Sequence, residues 1–188
     1  ASPLPKVLHP VAGRPMIQNV VEVCQEAGVT DIRLVVGHGS QIVKSVVESW
    51  GVHTYMQAQQ LGTADAVKSA DPDSIEGDVL ILNGDHPLIQ PTDIEKFITE
   101  FRQQKLDLAV VTAELKQPKD FGRIIRHKGQ LRAIVEAKDA SADTLKIREI
   151  NTGMYLATAE CLQEYLPKIK NQNVKGEYYL TDLISICV

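Results

Sequence analysis

Apolar positions in the first half of the chain follow two alternating patterns, a helical spacing and short unbroken runs. From Ile17 to Cys24 the apolar residues stand three and four positions apart, which predicts a helix that follows Pro15 and ends at Gly28. The same criteria predict helices over residues 40–50, 64–70 and about 92–104, and strands over residues 31–36, 52–56 and 79–82. Because strands and helices alternate, we expect an α/β fold with a doubly wound, mostly parallel sheet.

The pattern changes after Lys105, where strands become more frequent than helices. It predicts strands over residues 108–112 and 149–156, a hairpin of residues 122–126 and 131–136, and helices near residues 159–166 and 179–186. We therefore expect residues 1–188 to form one domain with two halves. The half of about residues 1–105 would bind a nucleotide, and the half of about residues 106–188 would bind a second substrate.

Charge and composition narrow the class of protein. The net charge of −4 supplies no basic surface, which argues against a nucleic-acid partner. The three cysteines are widely separated, form no CxxC motif and are typical of buried thiols in a cytoplasmic protein. The chain has no apolar run of transmembrane length and no signal peptide, so we expect no membrane partner. It opens without a strand and closes inside a predicted helix, so we expect a fragment truncated at both ends.

Asp85 is the most informative candidate for chemistry. It closes the segment Asn83-Gly84-Asp85, directly after the apolar run of residues 79–82. Open α/β sheets bind their ligands at the carboxyl ends of such strands, and a glycine lets a ligand approach the backbone closely. We interpret Asp85 as the ligand of a divalent metal that in turn holds phosphates. An ordinary turn residue is an equal alternative when the spacing is considered alone.

Two further segments contain candidate ligand-binding residues. Lys6 lies just ahead of an apolar segment, where a lysine can contact a phosphate, although a solvated surface lysine is the commoner case. Gln57 and Gln60 precede Gly62-Thr63, between a predicted strand and a predicted helix. A carboxamide offers a donor and an acceptor together, which suits the edge of a pyrimidine, and Thr63 can cap the helix. A polar loop with a good helix cap is the alternative.

Four polar islands interrupt apolar segments in the second half of the chain, at residues 121–124, 134–136, 150–153 and 176–182. Their carboxylates, carboxamides and backbone amides suit a ligand rich in hydroxyl groups. Each island alone is better explained as a turn or a helix cap. Their order along the chain is more informative about function than any island alone.

That order resembles the N-terminal uridylyltransferase domain of the bacterial bifunctional enzyme that makes UDP-N-acetylglucosamine. The matching segments are LPKVLH, GRPM, QAQQLGTADA, NGDHPL, FGRI, IVEAKDA, EINTG and GEYYLTD. They cover the chain from Leu4 to Asp182 with similar spacing. The motif GDxPL is shared by many sugar nucleotidyltransferases, whereas QxxQxGT, EINTG and GEYYLTD together are more specific. The resemblance implies a Rossmann-like nucleotide-diphospho-sugar transferase fold.

The resemblance also implies roles for individual residues. Lys6 would contact phosphate, and Asp85 would bind Mg²⁺, which makes these two the candidate catalytic residues. The other implied substrate-binding residues are Gln57, Gly62 and Thr63 for uracil, Asn83 and Gly84 for the nucleoside, and Gly122, Glu136 and Asn151 for N-acetylglucosamine. Tyr179 and Thr181 match positions near the sugar pocket. The family's Gly-rich phosphate loop and its second magnesium ligand, an asparagine, have no counterpart in these 188 residues.

The implied reaction is Mg²⁺-dependent transfer of a uridylyl group from UTP to N-acetylglucosamine-1-phosphate, giving UDP-N-acetylglucosamine and pyrophosphate. Such enzymes supply precursors for peptidoglycan and lipopolysaccharide. In the family a left-handed β-helix domain acetylates glucosamine-1-phosphate and forms the homotrimer, and this chain contains no such domain. Two alternatives remain open: a nucleotidyltransferase for another sugar phosphate, and a catalytically silent module used for binding or regulation.

Overall fold

The amphipathic segments of the chain form its helices, and the longer ones bury the apolar stripes expected from their spacing. The computed structural model describes residues 4–187. Its α-helices are α1 (Met16–Glu26), α2 (Ser40–Val47), α3 (Thr63–Ser69), α4 (Pro91–Gln103), α5 (Ala159–Tyr165) and α6 (Asp182–Cys187). The stripe of α1 from Ile17 to Cys24 is buried. Within residues 4–187, no helix has both the length and the apolar character needed to cross a bilayer.

In the described range, residues 4–187, the strands form three sheets. They are β1 (Pro10–Val11), β2 (Arg14–Pro15), β3 (Arg33–Val36), β4 (His53–Met56), β5 (Asp78–Ile81), β6 (Leu108–Glu114), β7 (Arg123–His127), β8 (Gln130–Val135) and β9 (Glu149–Thr158). β1 pairs with β2, and β3 pairs with β4. The remaining strands form a five-stranded sheet in the order β5-β9-β7-β8, with β6 also paired to β9.

The direction of strand pairing agrees with the expectation in one sheet and departs from it in another. β3 and β4 are parallel, with Arg33 opposite His53 and Val36 opposite Met56. Every pair that the five-stranded sheet contains within residues 4–187 is antiparallel, including β5 with β9. The expectation of a mostly parallel sheet therefore does not hold for β5, because an unbroken apolar run indicates burial and not the direction of the neighbouring strand.

The hairpin β1–β2 was not expected from the sequence. Ala12 and Gly13 connect the two strands, and both have positive φ, 50° and 83°. A two-residue turn of this kind matches the twist of the flanking strands. Asparagine or aspartate usually supplies the first positive φ of such a turn, and alanine does so rarely, so no residue type here predicts this hairpin. Pro15 lies in β2 and directly precedes α1.

A bulge interrupts β9 where it pairs with β6. The register passes from Val110 opposite Tyr155 to Thr112 opposite Asn151. Four residue steps along β9 therefore face two steps along β6. Gly153 lies inside the bulge with a φ of 84°, a conformation that glycine adopts without the cost other residues carry.

The chain divides into two compact units. The first comprises residues 1–60 and 82–105, and the second comprises residues 61–81 and 106–188. The core of the first unit contains Leu8, Ile17, Val20, Val21, Val36, Val43 and Val47. The core of the second contains Ala64, Ile124, Ile134, Tyr155, Ala157, Leu162, Leu166, Ile169, Leu180, Leu183 and Ile184. Residues 61–81, which the sequence assigned to the nucleotide half, thus make most of their contacts with the second unit.

Candidate active site

Lys6 and Asp85 form an ion pair in the first unit, although 79 residues separate them. Lys6 begins a short 3₁₀ turn, Lys6–Leu8, and its ammonium Nζ lies 2.5 Å from Asp85 Oδ2. The side chain of Lys6 is 74% exposed and that of Asp85 is 34% exposed, so a ligand can reach both. The structure therefore brings together the two residues that the sequence singled out as catalytic.

The carboxylate of Asp85 is held in its ionised form. Partial burial raises its pKa, but the hydrogen bond and charge of Lys6 outweigh that effect, and the resulting pKa lies below the ordinary value. The charge of His86 acts in the same direction. His86 Nε2 lies 3.9 Å from Asp85 Oδ1, which is the carboxylate oxygen that Lys6 does not contact. An ionised carboxylate is what a hard divalent cation requires of a protein ligand.

The segment around Asp85 is a turn that packs against α1. The carbonyl of Asn83 accepts a hydrogen bond from the backbone N–H of His86 at 3.3 Å. A Cβ atom added to Gly84 would lie 2.9 Å from Ile17 Cδ1 and 3.4 Å from Val7 Cγ1. Contact with the core is thus a sufficient reason for glycine at this position, beside the proposed approach of a ligand.

Gln57 lies at the carboxyl end of the parallel pair β3–β4. Its backbone N–H donates to the carbonyl of Val36 at 2.9 Å and so extends the ladder by one bond. Gln60 lies close to Gly37, where an added Cβ would come within 2.5 Å of Gln60 Nε2. Both residues therefore lie near the end of the sheet where open α/β folds bind ligands.

Gly62 and Thr63 lie in the second unit, where they are tied to residues 178–180. Gly62 has a φ of 119°, and a Cβ there would overlap the backbone of Tyr178. The N–H of Tyr178 donates to the carbonyl of Leu61 at 2.7 Å, and the N–H of Ala64 donates to the carbonyl of Tyr178 at 2.9 Å. The turn that precedes α3 is therefore fixed by main-chain contacts on both sides of Gly62.

The expected role of Thr63 as a helix cap is wrong. Gly62 is the N-cap of α3, and no side chain caps that helix. The hydroxyl oxygen of Thr63 instead accepts a hydrogen bond from the backbone N–H of Leu180 at 2.9 Å. Gly62 thus sets the start of α3 and leaves the hydroxyl of Thr63 to contact Leu180.

The structure brings together the three residues expected to contact the sugar. The backbone N–H of Asn151 donates to the carbonyl of Gly122 at 2.9 Å. A Cβ on Gly122 would lie 3.1 Å from Ile134 Cγ2 and 3.4 Å from Glu136 Oε1. Gly122 thus leaves room for the carboxylate of Glu136. Gly122 directly precedes β7, Glu136 directly follows β8, and Asn151 lies in β9, all within the second unit.

Glu136 is a carboxylate in a partly buried environment. Burial raises its pKa above the ordinary value, and the hydroxyl of Thr181, which donates to Glu136 Oε1 at 3.3 Å, opposes that shift only in part. The charge of Lys175 also lowers the pKa, whereas Asp139 and Asp182 raise it. A carboxylate that is short of donors is suited to accept hydrogen bonds from the hydroxyl groups of a ligand.

Tyr179 supports the same interpretation. Its side chain is buried, and its hydroxyl has no hydrogen-bond partner within residues 4–187. Burial, together with the charges of Asp139 and Glu177, raises the pKa of this phenol to about 12, so it stays protonated and can donate. Because buried polar groups are almost always paired in folded proteins, this phenol is a candidate hydrogen-bond donor for a ligand.

Arg123 is a site residue that the sequence did not reveal. Its side chain is 3% exposed, and its guanidinium donates to the backbone carbonyls of Phe121, Lys119 and Leu145. The contact with Lys119 measures 2.9 Å. Arg123 therefore fixes the backbone on the N-terminal side of Gly122. The only sequence signal was its place within FGRI, which marks a segment and not the role of one side chain.

A metal site made wholly by the protein is not present in the described part of the chain. Within residues 4–187, no group of three or more histidine, cysteine, aspartate or glutamate side chains is arranged to hold a metal ion. Asp85 nevertheless suits Mg²⁺, which usually takes one or two carboxylates and completes its shell with water and substrate phosphates. The donor chemistry at Asp85 is therefore compatible with a metal that arrives with its substrate.

Known proteins resemble this chain in sequence over part of their length. The family model for the MobA-like NTP transferase domain matches residues 2–163. The bifunctional protein GlmU of Bdellovibrio bacteriovorus is 62% identical over 187 residues, which are 100% of this chain and 41% of that protein. The bifunctional protein GlmU of Marinobacter nauticus is 41% identical over 190 residues, again covering 41% of its length. The chain thus spans about two fifths of these relatives.

Solved structures resemble it in fold. A UDP-glucose pyrophosphorylase complexed with UDP-glucose has a TM-score of 0.75 at 16% identity, covering 97% of this chain and 78% of that one. A putative glucose-1-phosphate thymidylyltransferase from Bacillus anthracis has a TM-score of 0.75 at 24% identity, and the match covers 95% of this chain and 72% of that one. The α/β, Rossmann-like fold class expected from the sequence is confirmed.

Proposed function

The chain belongs to the family of MobA-like NTP transferase domains, and from that premise we propose that it transfers a uridylyl group from UTP to N-acetylglucosamine-1-phosphate. An oxygen of the sugar phosphate attacks the α-phosphorus of UTP, the bond from that phosphorus to the bridging oxygen breaks, and pyrophosphate leaves. The product is UDP-N-acetylglucosamine. The proposal includes a cytoplasmic setting and the supply of precursors for peptidoglycan and lipopolysaccharide.

The Lys6–Asp85 pair carries this proposal. It combines an exposed ammonium with an ionised carboxylate at a distance of 2.5 Å. Phosphate groups attract the first, and a divalent cation attracts the second. Lys6 then binds the triphosphate, and Asp85 anchors Mg²⁺. When bound, the metal neutralises charge on the phosphates and aligns them.

No general base is required for this reaction. A sugar phosphate has a second pKa of about 6 and is largely ionised at neutral pH. What the protein must supply is alignment of the two phosphates and stabilisation of charge, as in other phosphoryl transfers. The lack of a catalytic triad in the sequence is therefore consistent with the proposal.

Base recognition is proposed for Gln57, Gly62 and Thr63, with Asn83 and Gly84 next to the nucleoside. The carboxamide of Gln57 can pair with one donor and one acceptor on uracil. Gly62 and Thr63 form a turn whose backbone is fixed by Tyr178 and Leu180. In this view the hydroxyl of Thr63 supports the turn, and the main chain of the turn contacts the nucleotide.

Sugar recognition is proposed for Gly122, Glu136 and Asn151. Glu136 accepts hydrogen bonds from sugar hydroxyls, and the backbone of Gly122 permits the ligand to approach. The unpaired phenol of Tyr179, close enough to Glu136 to respond to its charge, offers a donor for the same ligand. These groups are chemically suited to a polar sugar and not to an apolar substrate.

A substrate panel tests the proposal. Pyrophosphate release is measured for UTP, CTP, GTP and dTTP, each combined with N-acetylglucosamine-1-phosphate or glucose-1-phosphate, with Mg²⁺ and with excess EDTA. We expect the fastest release from UTP with N-acetylglucosamine-1-phosphate and its loss in EDTA. Faster release from another pair would support a different sugar nucleotidyltransferase, a class to which the structurally similar thymidylyltransferase belongs by name.

The same experiment addresses a silent binding module. Calorimetry with UDP-N-acetylglucosamine accompanies the assay. Binding without pyrophosphate release from any pair would favour the module. The absence of both binding and release would refute the proposed function. Retention of Lys6, Gln57 and Asp85 together favours the enzyme.

A further inference from the structure

The carboxamide of Asn151 is held at both ends by contacts within the second unit. Its oxygen Oδ1 accepts a hydrogen bond from the backbone N–H of Gly153 at 2.9 Å. Its nitrogen Nδ2 donates to the phenol oxygen of Tyr155 at 2.7 Å. Because a backbone N–H can only donate, the first contact fixes which end of the amide is oxygen, and the second completes the orientation.

The bulge in β9 makes this arrangement possible. In a regular strand, residues four positions apart are separated by about 13 Å, too far for a hydrogen bond between their side chains. The bulge shortens this distance, since residues 151–155 face only residues 110–112 of β6. Gly153, with its φ of 84°, turns the backbone between Asn151 and Tyr155 and points its own N–H at the amide oxygen.

Tyr155 is a rigid anchor for this contact. Its side chain is 3% exposed and belongs to the core of the second unit, so the ring has little freedom to move. Its hydroxyl accepts the hydrogen bond from Asn151. Burial raises the pKa of this phenol, the hydrogen bond from Asn151 opposes that shift, and the charge of Glu136 adds to it. Tyr155 thus contacts Asn151, one of the residues assigned to the sugar.

We propose that Tyr155 is a positioning residue that orients the carboxamide of Asn151 toward the sugar phosphate. With one N–H bound to the phenol and one oxygen lone pair bound to Gly153, the amide retains its second N–H and its second lone pair for a ligand. A carboxamide free to rotate would present these groups only part of the time. This inference rests on the proposed function, in which Asn151 contacts N-acetylglucosamine.

The test is Tyr155→Phe, which keeps the ring and removes only the hydroxyl. One hydrogen bond is worth a factor of about 3 to 10 in affinity, so we expect the KM for N-acetylglucosamine-1-phosphate to rise by about that factor. The KM for UTP and the kcat at saturation should change less than about twofold. A purely structural defect would instead lower kcat or change both KM values together.

Thr152→Val is the matched control. The hydroxyl of Thr152 donates to the carbonyl of Val111 at 2.7 Å, so it supports the same bulge without touching the amide of Asn151. We expect this variant to lose stability in thermal unfolding without a selective rise in the KM for the sugar phosphate. An equal selective rise in both variants would overturn the proposal, because support of the bulge alone would then explain the effect.

A second measurement does not depend on turnover. In ¹H–¹⁵N spectra, the side-chain amide of Asn151 should show one proton shifted by its hydrogen bond to the phenol, and Tyr155→Phe should remove that shift. An unchanged amide signal would overturn the positioning role. If wild-type protein binds no UDP-N-acetylglucosamine, the proposed function fails. If it binds and Tyr155→Phe binds equally well, only the present inference fails.

Discussion

At the scale of single residues, the main result is that two opposite charges distant in sequence are neighbours in the fold. Lys6 compensates the charge of Asp85 in the described structure. A metal ion can replace the ammonium next to the carboxylate, and a phosphate can replace the carboxylate next to the ammonium. The pair is therefore suited to binding metal and nucleotide together.

Replacing Asp85 by asparagine removes the charge with little change in shape. In the proposed reaction, Asp85→Asn should lower kcat by at least about 100-fold, because charge stabilisation at transferring phosphates is lost. UTP should still bind measurably through the remaining contacts. Pyrophosphate release and calorimetry measure the two effects. Glu164→Gln is the matched control, since Glu164 forms a similar exposed ion pair with Lys168 at 3.0 Å. Unchanged turnover in Asp85→Asn would remove this residue from the mechanism.

Glu136 should make stability depend on pH. Because burial raises its pKa, the folded protein holds this proton more tightly than the unfolded chain does. The free energy of unfolding therefore decreases as the pH rises from the ordinary glutamate pKa through the raised value. Glu136→Gln removes that loss, so its stability relative to wild type should improve as the pH rises above the ordinary glutamate pKa of about 4. Urea unfolding across this range measures the difference, and parallel curves for the two proteins would contradict the argument.

At the scale of elements, the turn before α3 depends on a glycine. Gly62 has a backbone conformation open almost only to glycine, and an added Cβ would overlap the backbone of Tyr178. Gly62→Ala should therefore lower the free energy of unfolding by about 2 kcal/mol or more. Gly77→Ala is the control, because Gly77 also has positive φ but open space around it, and should cost only about 1 kcal/mol. Equal losses measured by urea unfolding would exclude the contact with Tyr178 as the cause.

Helices were easier to predict from the sequence than the contacts between elements. The helices expected after Pro15 and over about residues 92–104 agree with α1 and α4 within a residue or two. The last helix was expected from residue 179 but begins at Asp182. The residues just before it are engaged elsewhere, Leu180 with Thr63 and Thr181 with Glu136. Such long-range bonds override local helical spacing, and no local pattern reveals them.

The candidate site was predictable to a similar extent. The segments containing Lys6, Asp85 and Glu136 were identifiable from their polar character next to apolar runs and from the family resemblance. The ion pair between Lys6 and Asp85 was not predictable, because the sequence does not reveal which distant charges come into contact. The support given by Arg123 and Tyr155 was also hidden, since a buried arginine or tyrosine has no signature distinct from a surface or core residue. Roles proposed for the substrate-binding residues remain predictions.

At the scale of the whole molecule, two cores form within one chain, and a thiol is buried in each unit. Burial raises the pKa of Cys24, in the first unit, to about 11. Burial and the neighbouring Cys187 raise the pKa of Cys161, in the second unit, to about 12. Since the thiolate is the reactive form, neither thiol should react while its unit is folded.

Thiol labelling should therefore report on each unit separately. With N-ethylmaleimide at about pH 8, Cys24 and Cys161 should remain unmodified for at least about 100 times longer than in the urea-unfolded chain. Mass spectrometry of peptides resolves the two sites and gives an unfolding midpoint for each. The half-buried Cys187 should be modified sooner than either. Rapid native labelling of Cys24 would contradict the packing of α1.

The unpaired phenol of Tyr179 has a consequence for how this protein could evolve. A buried hydroxyl without a hydrogen-bond partner lowers the free energy of unfolding of the ligand-free protein. Phenylalanine at position 179 would remove that cost. Selection for greater thermal stability would thus favour phenylalanine at this position, whereas selection for tighter ligand binding would favour tyrosine. At position 179, the thermal stability of the fold and the affinity for a ligand therefore place opposite demands on one side chain.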